Sequence, residues 1–421
     1  MALRQNPLTI ITRIKSGEVS SLESVLSAIG NDVQNNPYVR FSELPTVHFA
    51  RWVIIPQDGP FPPTLVWEVN HDGAQADQLR DLAAKFLAAL HLIYSKCEDY
   101  PADAQNSAEK MQAHLQAHTA ETAAFYVGCP GQSVASIQNA IQVRQEIELF
   151  LDAEQIAGKL NGLSASAIYR RVSDSIAQNP RVRPVRSAVT LDQQKTRAIW
   201  NLVLFIVVAV PIVLILLPLL LVYVIWLRCV EVRDLTAPQP TPPAIDPRLF
   251  EKEDIFVQNP LTTMVYVKPG AFRLYTLKGV LWLINLLAKI YFTTGSLGGI
   301  PTIHFARWIL MDDNKRLLFF SNYDGSWASY LGDFVDKANY GLTAVWSNTA
   351  NFPPAQFLFF GGAQHITAFK QWSRQHNVFA DVWYSAYPDE TLVNVQNDVQ
   401  IRDALGQNLN EEEARQFLQR L

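Results

Sequence analysis

Three short motifs occur twice in this chain, in the same order and at nearly constant spacing, which requires two copies of one folding unit. Asn6-Pro7-Leu8-Thr9 returns as Asn259-Pro260-Leu261-Thr262, 253 residues later. Pro45-Thr46-Val47-His48-Phe49-Ala50-Arg51-Trp52 returns 256 residues on as Pro301-Thr302-Ile303-His304-Phe305-Ala306-Arg307-Trp308, with seven identities in eight. Asn70-His71-Asp72-Gly73 returns as Asn322-Tyr323-Asp324-Gly325, at an offset of 252.

Periodicity gives both copies the same order of elements. In the first, β-branched and apolar runs predict strands over 8–14, 46–55, 64–70 and 123–127, with helices from Ser20, over 76–94 and over 133–151. In the second, strands fall over 262–267, 301–311, 317–321 and 356–360, and helices over 272–292 and 327–338. A helix over 366–376 and a strand over 378–384 follow, and Asn410 before Glu411-Glu412-Glu413 marks the cap of a final helix. The order β-α-β-β-α-β is the ferredoxin-like plan. The expected class is therefore α+β: two tandem ferredoxin-like repeats, 1–155 and 259–390, packed face to face or edge to edge as a pseudo-dimer. Between them come a basic helical linker (156–197), a hydrophobic segment (198–227) and a proline-rich linker (228–258), and a helical tail (391–421) ends the chain.

The hydrophobic segment holds thirty residues without a charged side chain, more than the ~20 a spanning helix needs. Arg181, Arg183, Arg186, Lys195 and Arg197 precede it, and Arg228 and Arg233 follow, so basic flanks favour the cytoplasmic face of a membrane. A single crossing would part the two copies. Pro211 and Pro218 mark where the chain could bend, and the expectation is monotopic attachment with both copies on one side and 274–294 lying as an interfacial helix. With 35 basic against 39 acidic residues and only 18 % charged, the 421-residue chain is neither disordered nor a cationic nucleic-acid binder. Cys97, Cys129 and Cys229 lie far apart without a Cys-x-x-Cys, so neither a disulfide framework nor a metal site is expected.

Phosphate loops, dinucleotide fingerprints, nucleophile elbows and zinc helices are absent from the sequence, leaving the repeated motifs as candidate chemistry. Strand alternation puts His48, Ala50 and Trp52 on one face and Phe49, Arg51 and Val53 on the other, and the second copy likewise separates His304 from Arg307. Histidine can ligate haem iron and arginine can hold an anion or a peroxide-derived oxygen. Equally, a motif kept in both copies serves as an inter-copy packing device, the histidine hydrogen-bonded in the core and the arginine paired with a carboxylate. Asp72 and Asp324 can cap the following helix or act as acid or base. His365 and His376 occur only in the second copy, the asymmetry that a single active site requires, and Trp346 and Trp383 could line an apolar pocket.

The Pro-Thr-Ile-His-Phe-Ala-Arg-Trp strand, the 319–327 stretch and the Trp383-Tyr384-Ser385-Ala386-Tyr387-Pro388 run resemble a family of bacterial membrane-associated proteins over nearly the whole chain. More remotely, two ferredoxin-like copies with an x-Asp-Gly motif are similar to dye-decolourising haem peroxidases, which place an aspartate over the haem and a histidine below it. That resemblance implies an oxidoreductase acting on an apolar or membrane-derived small molecule. Asp324, His304, Arg307 and His365 would be its catalytic candidates, and His304 and His365 its haem ligands. The alternative is a non-enzymatic lipid-binding or scaffold protein. In either case the expected partner is a lipid bilayer, as in a bacterial inner membrane, and not nucleic acid.

Overall fold

Runs rich in β-branched and aromatic residues, buried on both faces, form the strands at the centre of the molecule. The computed structural model describes residues 4–101, 103–182, 191–251, 253, 256–293 and 295–421. The first half contains β1 (Gln5–Arg13), α1 (Val19–Gly30), β2 (Val47–Ile55), β3 (Thr64–Asp72), α2 (Gln75–Lys85), α3 (Leu87–Tyr94), α4 (Ala108–Ala117), β4 (Ala124–Val127), α5 (Val134–Ile156) and α6 (Ala165–Gln178). The connector contains α7 (Leu191–Ile215), α8 (Leu217–Asp234) and the short α9 (Arg248–Glu251). The second half contains β5 (Gln258–Tyr266), α10 (Ala271–Ile290), β6 (Ile303–Met311), β7 (Arg316–Asp324), α11 (Trp327–Trp346), β8 (Ala355–Gln356), β9 (Phe360–Gly361), α12 (Ile366–Gln375), β10 (Val382–Ser385), α13 (Leu392–Ala404) and α14 (Glu411–Leu418).

Two antiparallel four-stranded sheets result, ordered β1-β3-β2-β10 and β4-β6-β7-β5. Each half keeps three strands and gives its fourth to the other sheet, so neither half is the self-contained unit read from the sequence. Strand β10 pairs with β2, Tyr384 opposite Ala50, and β4 pairs with β6, Tyr126 opposite Ala306. The expected strand over 356–360 is only the tiny β8–β9 hairpin, and the true fourth strand of the second half is β10. The expected helix over 76–94 is broken at Phe86 into α2 and α3.

Three layers of apolar packing hold the body. Helices α1 to α4 cover one sheet through Leu22, Leu26, Leu82 and Ile93, and α10 to α12 cover the other through Leu277, Leu281, Leu331 and Trp372. Between the sheets, Val53, Ile55 and Val66 meet Met264, Ile309, Leu318 and Phe320. The exchanged strands then lead into α5 and α13, which pack together and, with α6 and α14, bury Val143, Ile147, Tyr169, Ile401 and Phe417. The Asn410 side chain accepts the amides of Glu412 and Glu413, and Glu413 accepts from the Asn410 amide, closing a capping box on α14.

The connector forms a bent apolar rod. Helix α7 passes into α8 at Leu216, where Leu216 N–H bonds Ile212 O and Leu220 N–H bonds Leu216 O across the joint, and Pro218 starts the new helix. Most of its middle is exposed, including Trp200, Leu204, Leu214, Leu219 and Ile225. Its two ends rest on the body. Ala198 is buried and α7 touches α10, while Tyr223 and Leu227 pack against Phe272, Val280, Ala344 and Leu358. The Tyr223 hydroxyl lies 3.1 Å from Thr276 Oγ1, and Glu231 accepts the amides of Phe357 and Leu358. Thr196–Ile215 and Ala271–Ile290 are long and apolar enough to cross a membrane. Of the basic flank, Arg183 and Arg186 lie outside the described residues.

Candidate functional site

The repeated motifs converge on the plane between the sheets, where each half grips the other. Arg51 is fully buried and donates from Nη1 to Leu261 O (2.9 Å) and Thr262 Oγ1 (3.2 Å), and from Nη2 to Ser321 O (2.9 Å) and Asn322 Oδ1 (2.6 Å). Arg307 makes the reciprocal set: Leu8 O (2.8 Å), Thr9 Oγ1 (2.9 Å), Val69 O (2.9 Å) and Asn70 Oδ1. Each arginine therefore reads the Asn-Pro-Leu-Thr and Asn-x-Asp-Gly motifs of the opposite copy, a fork geometry that arginine supplies and lysine does not. One carboxylate serves both guanidinium groups, with Glu68 Oε2 at 2.6 Å from Arg51 Nε and Oε1 at 3.2 Å from Arg307 Nη2. Phe320 occupies the place opposite Arg307 that Glu68 occupies opposite Arg51. Burial lowers the Arg51 pKa and brings that of Arg307 down to about 10, against the pull of Glu68.

The histidines make a second set of ties. A β-bulge lies between Val47 and Phe49 and another between Ile303 and Phe305, so His48 and His304 are each the extra residue of a bulge. The bulge corrects the expected alternation. Val47, Ala50 and Trp52 all pack into the helix-side core, while the His48 ring lies 5.3 Å from Phe305 and the His304 ring 5.3 Å from Phe49, on the inter-sheet side with the arginines. His48 Nε2 is 3.0 Å from Asp72 Oδ1, and Asp72 Oδ2 accepts the Val134 amide at the start of α5 (2.9 Å). His304 Nε2 is 2.7 Å from Asp324 Oδ1, and Asp324 Oδ2 accepts the Leu392 amide at the start of α13 (2.7 Å). The aspartates thus cap not the next helix but the one that follows the exchanged strand. Gln5 and Gln258 hold the same strand-to-helix loops by donating to Gln132 O (2.8 Å) and Tyr387 O (3.0 Å).

Of the four candidates, His304 and Asp324 meet directly, Arg307 lies among a different set of partners, and His365 is an exposed residue at the head of α12. His376 is buried, with Nδ1 2.7 Å from Trp372 O, and burial lowers its pKa. A haem would need a free imidazole nitrogen facing open space. His304 Nε2 is engaged by Asp324 and its ring is packed against Phe49 and Tyr387, so His304 does not offer that nitrogen. Among the described residues no three His, Cys, Asp or Glu side chains gather as metal ligands.

The sequence motifs leave out Gln5, Gln258 and Glu68, and they place Tyr387 only in an aromatic run. The two glutamines immediately precede Asn-Pro-Leu-Thr in both copies and so belong to the repeat. Glu68 and Tyr387, whose hydroxyl lies 2.9 Å from His48 Nδ1, have no like residue in the other copy and left no repeat signal. Compared with known proteins, the chain matches no family model, no curated protein and no solved structure.

Proposed function

We propose that this is a membrane-attached, non-enzymatic scaffold or lipid-binding protein. In this reading both ferredoxin-like copies lie on the cytoplasmic face of a bacterial inner membrane, and the α7–α8 rod dips into the near leaflet and returns. The observation that carries the reading is that both ends of the apolar rod rest on one body whose halves have exchanged strands. A conventional crossing would need β4 and β10 on opposite sides of the bilayer from the sheets they complete. Helix α10 supports the same attachment with an exposed face of Tyr275, Trp282 and Leu283 beside Lys278 and Lys289, the mixture that settles at a headgroup boundary.

The non-enzymatic part rests on the motif residues: each arginine donates four hydrogen bonds to the opposite copy, and each histidine is tied to an aspartate and packed against a phenylalanine of the opposite copy. A peroxidase-like activity would first require Asp324 to leave both His304 and the Leu392 amide. The test is vesicle flotation of the full chain beside a variant in which 198–227 is replaced by a flexible Gly/Ser segment. Wild type should float, and the variant should remain folded with much weaker flotation. A variant that floats as well as wild type would contradict the reading.

A further inference from the structure

Where α8 returns to the body, a cavity of about 460 Å³ opens beside its last turns and is lined by Asp234, Lys268, Arg273, Ser347, Phe352 and Trp372 among others. Its volume lies in the range of small-ligand sites. Arg273 and Ser347 are each 2 % exposed, yet Arg273 Nε and Ser347 Oγ have no hydrogen-bond partner. Buried donors are normally satisfied, so two of them beside one cavity point to a missing acceptor. Two cations, Lys268 and Arg273, and two carboxylates, Asp234 and Glu231, line the cavity, and Glu231 is already engaged by Arg228 and by the amides of Phe357 and Leu358. Lys268 (3.1 Å) and Arg273 (2.5 Å) both lean on a single oxygen of Asp234, and Arg273 Nη1 reaches Asn348 Oδ1 at 3.3 Å. The twenty-residue helix α10 begins between these cations, and its Gly270 cap supplies no side chain for the first amides.

We propose that this cavity binds the phosphate group of a glycerophospholipid headgroup, with Arg273 and Ser347 donating to its oxygens and Phe352 and Trp372 flanking the ester portion. The inference rests on the membrane reading above and assigns it a ligand. A lipid is favoured as the source of the phosphate because of depth. The charge-free run of α8 ends at Leu227, the charged Arg228, Glu231 and Arg233 then alternate with the exposed Val232 and Leu235, and the cavity begins at Glu231, four residues or roughly 6 Å beyond that run, the step from hydrocarbon to headgroup.

The test uses the full chain in mild detergent, titrated with dihexanoyl-phosphatidylglycerol and separately with inorganic phosphate while thermal unfolding is followed. Wild type should be stabilised by the short-chain lipid at concentrations where phosphate has little effect. Arg273→Gln should bind the lipid about tenfold more weakly, the loss of a charge-assisted donor, and Ser347→Ala a few-fold more weakly. Ser347→Ala keeps the test open if Arg273→Gln fails to fold. Unchanged affinity in a folded Arg273→Gln, or in Ser347→Ala where Arg273→Gln does not fold, would overturn the proposal, and so would phosphate acting as strongly as the lipid, which would make this a free-anion site. A wild type that floats with phosphatidylethanolamine and phosphatidylglycerol vesicles yet shows no shift with the short-chain lipid refutes the pocket alone. Failure to float refutes the membrane reading instead.

Discussion

The two halves of this molecule share their grip on each other and differ in nearly everything around it. Gln5, His48, Arg51, Asn70 and Asp72 in the first have identical counterparts in Gln258, His304, Arg307, Asn322 and Asp324 of the second; all ten lie buried, the arginines and asparagines on bonds between the halves and the others on bonds that hold the exchanged strand-to-helix segments. Around them, Glu68 faces Phe320 in the comparison, His71 faces Tyr323, and Cys129 faces Tyr387. The first crossover helix, α1, has twelve residues and buries Leu22, Leu26 and Ile29 beneath a polar surface, whereas α10 has twenty and exposes Tyr275 and Trp282. What is constant is therefore the interlock, and what varies is the outer surface, with the apolar surface gathered on the second half and the connector.

The largest effect expected from breaking this comparison is at Glu68. Removing its charge leaves two buried guanidinium groups with no carboxylate, and Glu68→Gln should cost about 3–5 kcal/mol of stability in chemical denaturation. The mirror position predicts less, because Phe320 carries no charge and meets the Arg51 guanidinium only through its ring, 5.2 Å away, so Phe320→Leu should cost about 1–2 kcal/mol. Equal losses at the two positions would contradict the single shared carboxylate.

Next in size are the aspartates that tie a histidine to a helix start. Asp72→Asn and Asp324→Asn should each cost about 1–3 kcal/mol, and similar amounts, since the bonds are equivalent in the two halves. A much larger loss at one of them, measured by thermal unfolding, would show that the halves are not held alike.

A further difference separates the halves by pH. Burial holds the His71 pKa down to about 4, so the unfolded chain takes up that proton first as the pH falls. The contribution is whole above pH 6.5 and is lost as the pH drops from 6.5 towards 4, by at most about 2–3 kcal/mol. His71→Gln should flatten the melting temperature across that window, while His114, also held near 4 by burial, keeps part of the slope. An unchanged profile would remove His71 as a source of acid sensitivity.

The duplication, the element order and the motifs that make the interlock were legible because repetition marks residues that do the same work twice. Partner choice was not. β4 and β10 are four residues long, and a run such as Ala124-Phe125-Tyr126-Val127 announces a strand without saying which sheet it completes. The period-two rule also misplaced His48 and His304, because an inserted bulge residue shifts one side of the strand and leaves no mark in composition. Glu68 escaped for the opposite reason to the motifs, since a carboxylate shared by two arginines needs to occur only once.

In the proposed arrangement both halves stand on one side of the membrane, joined by a rod that enters and leaves the same leaflet. Single cysteines at the exposed positions Ser27 and Ser329, in a Cys229→Ser background that leaves only the buried Cys97 and Cys129, allow a direct test. A membrane-impermeant maleimide applied to right-side-out and inverted vesicles should reach both positions in the inverted vesicles and neither in the right-side-out ones. Labelling of one position from each side would contradict the account, because strands exchanged between the halves cannot be separated by a bilayer.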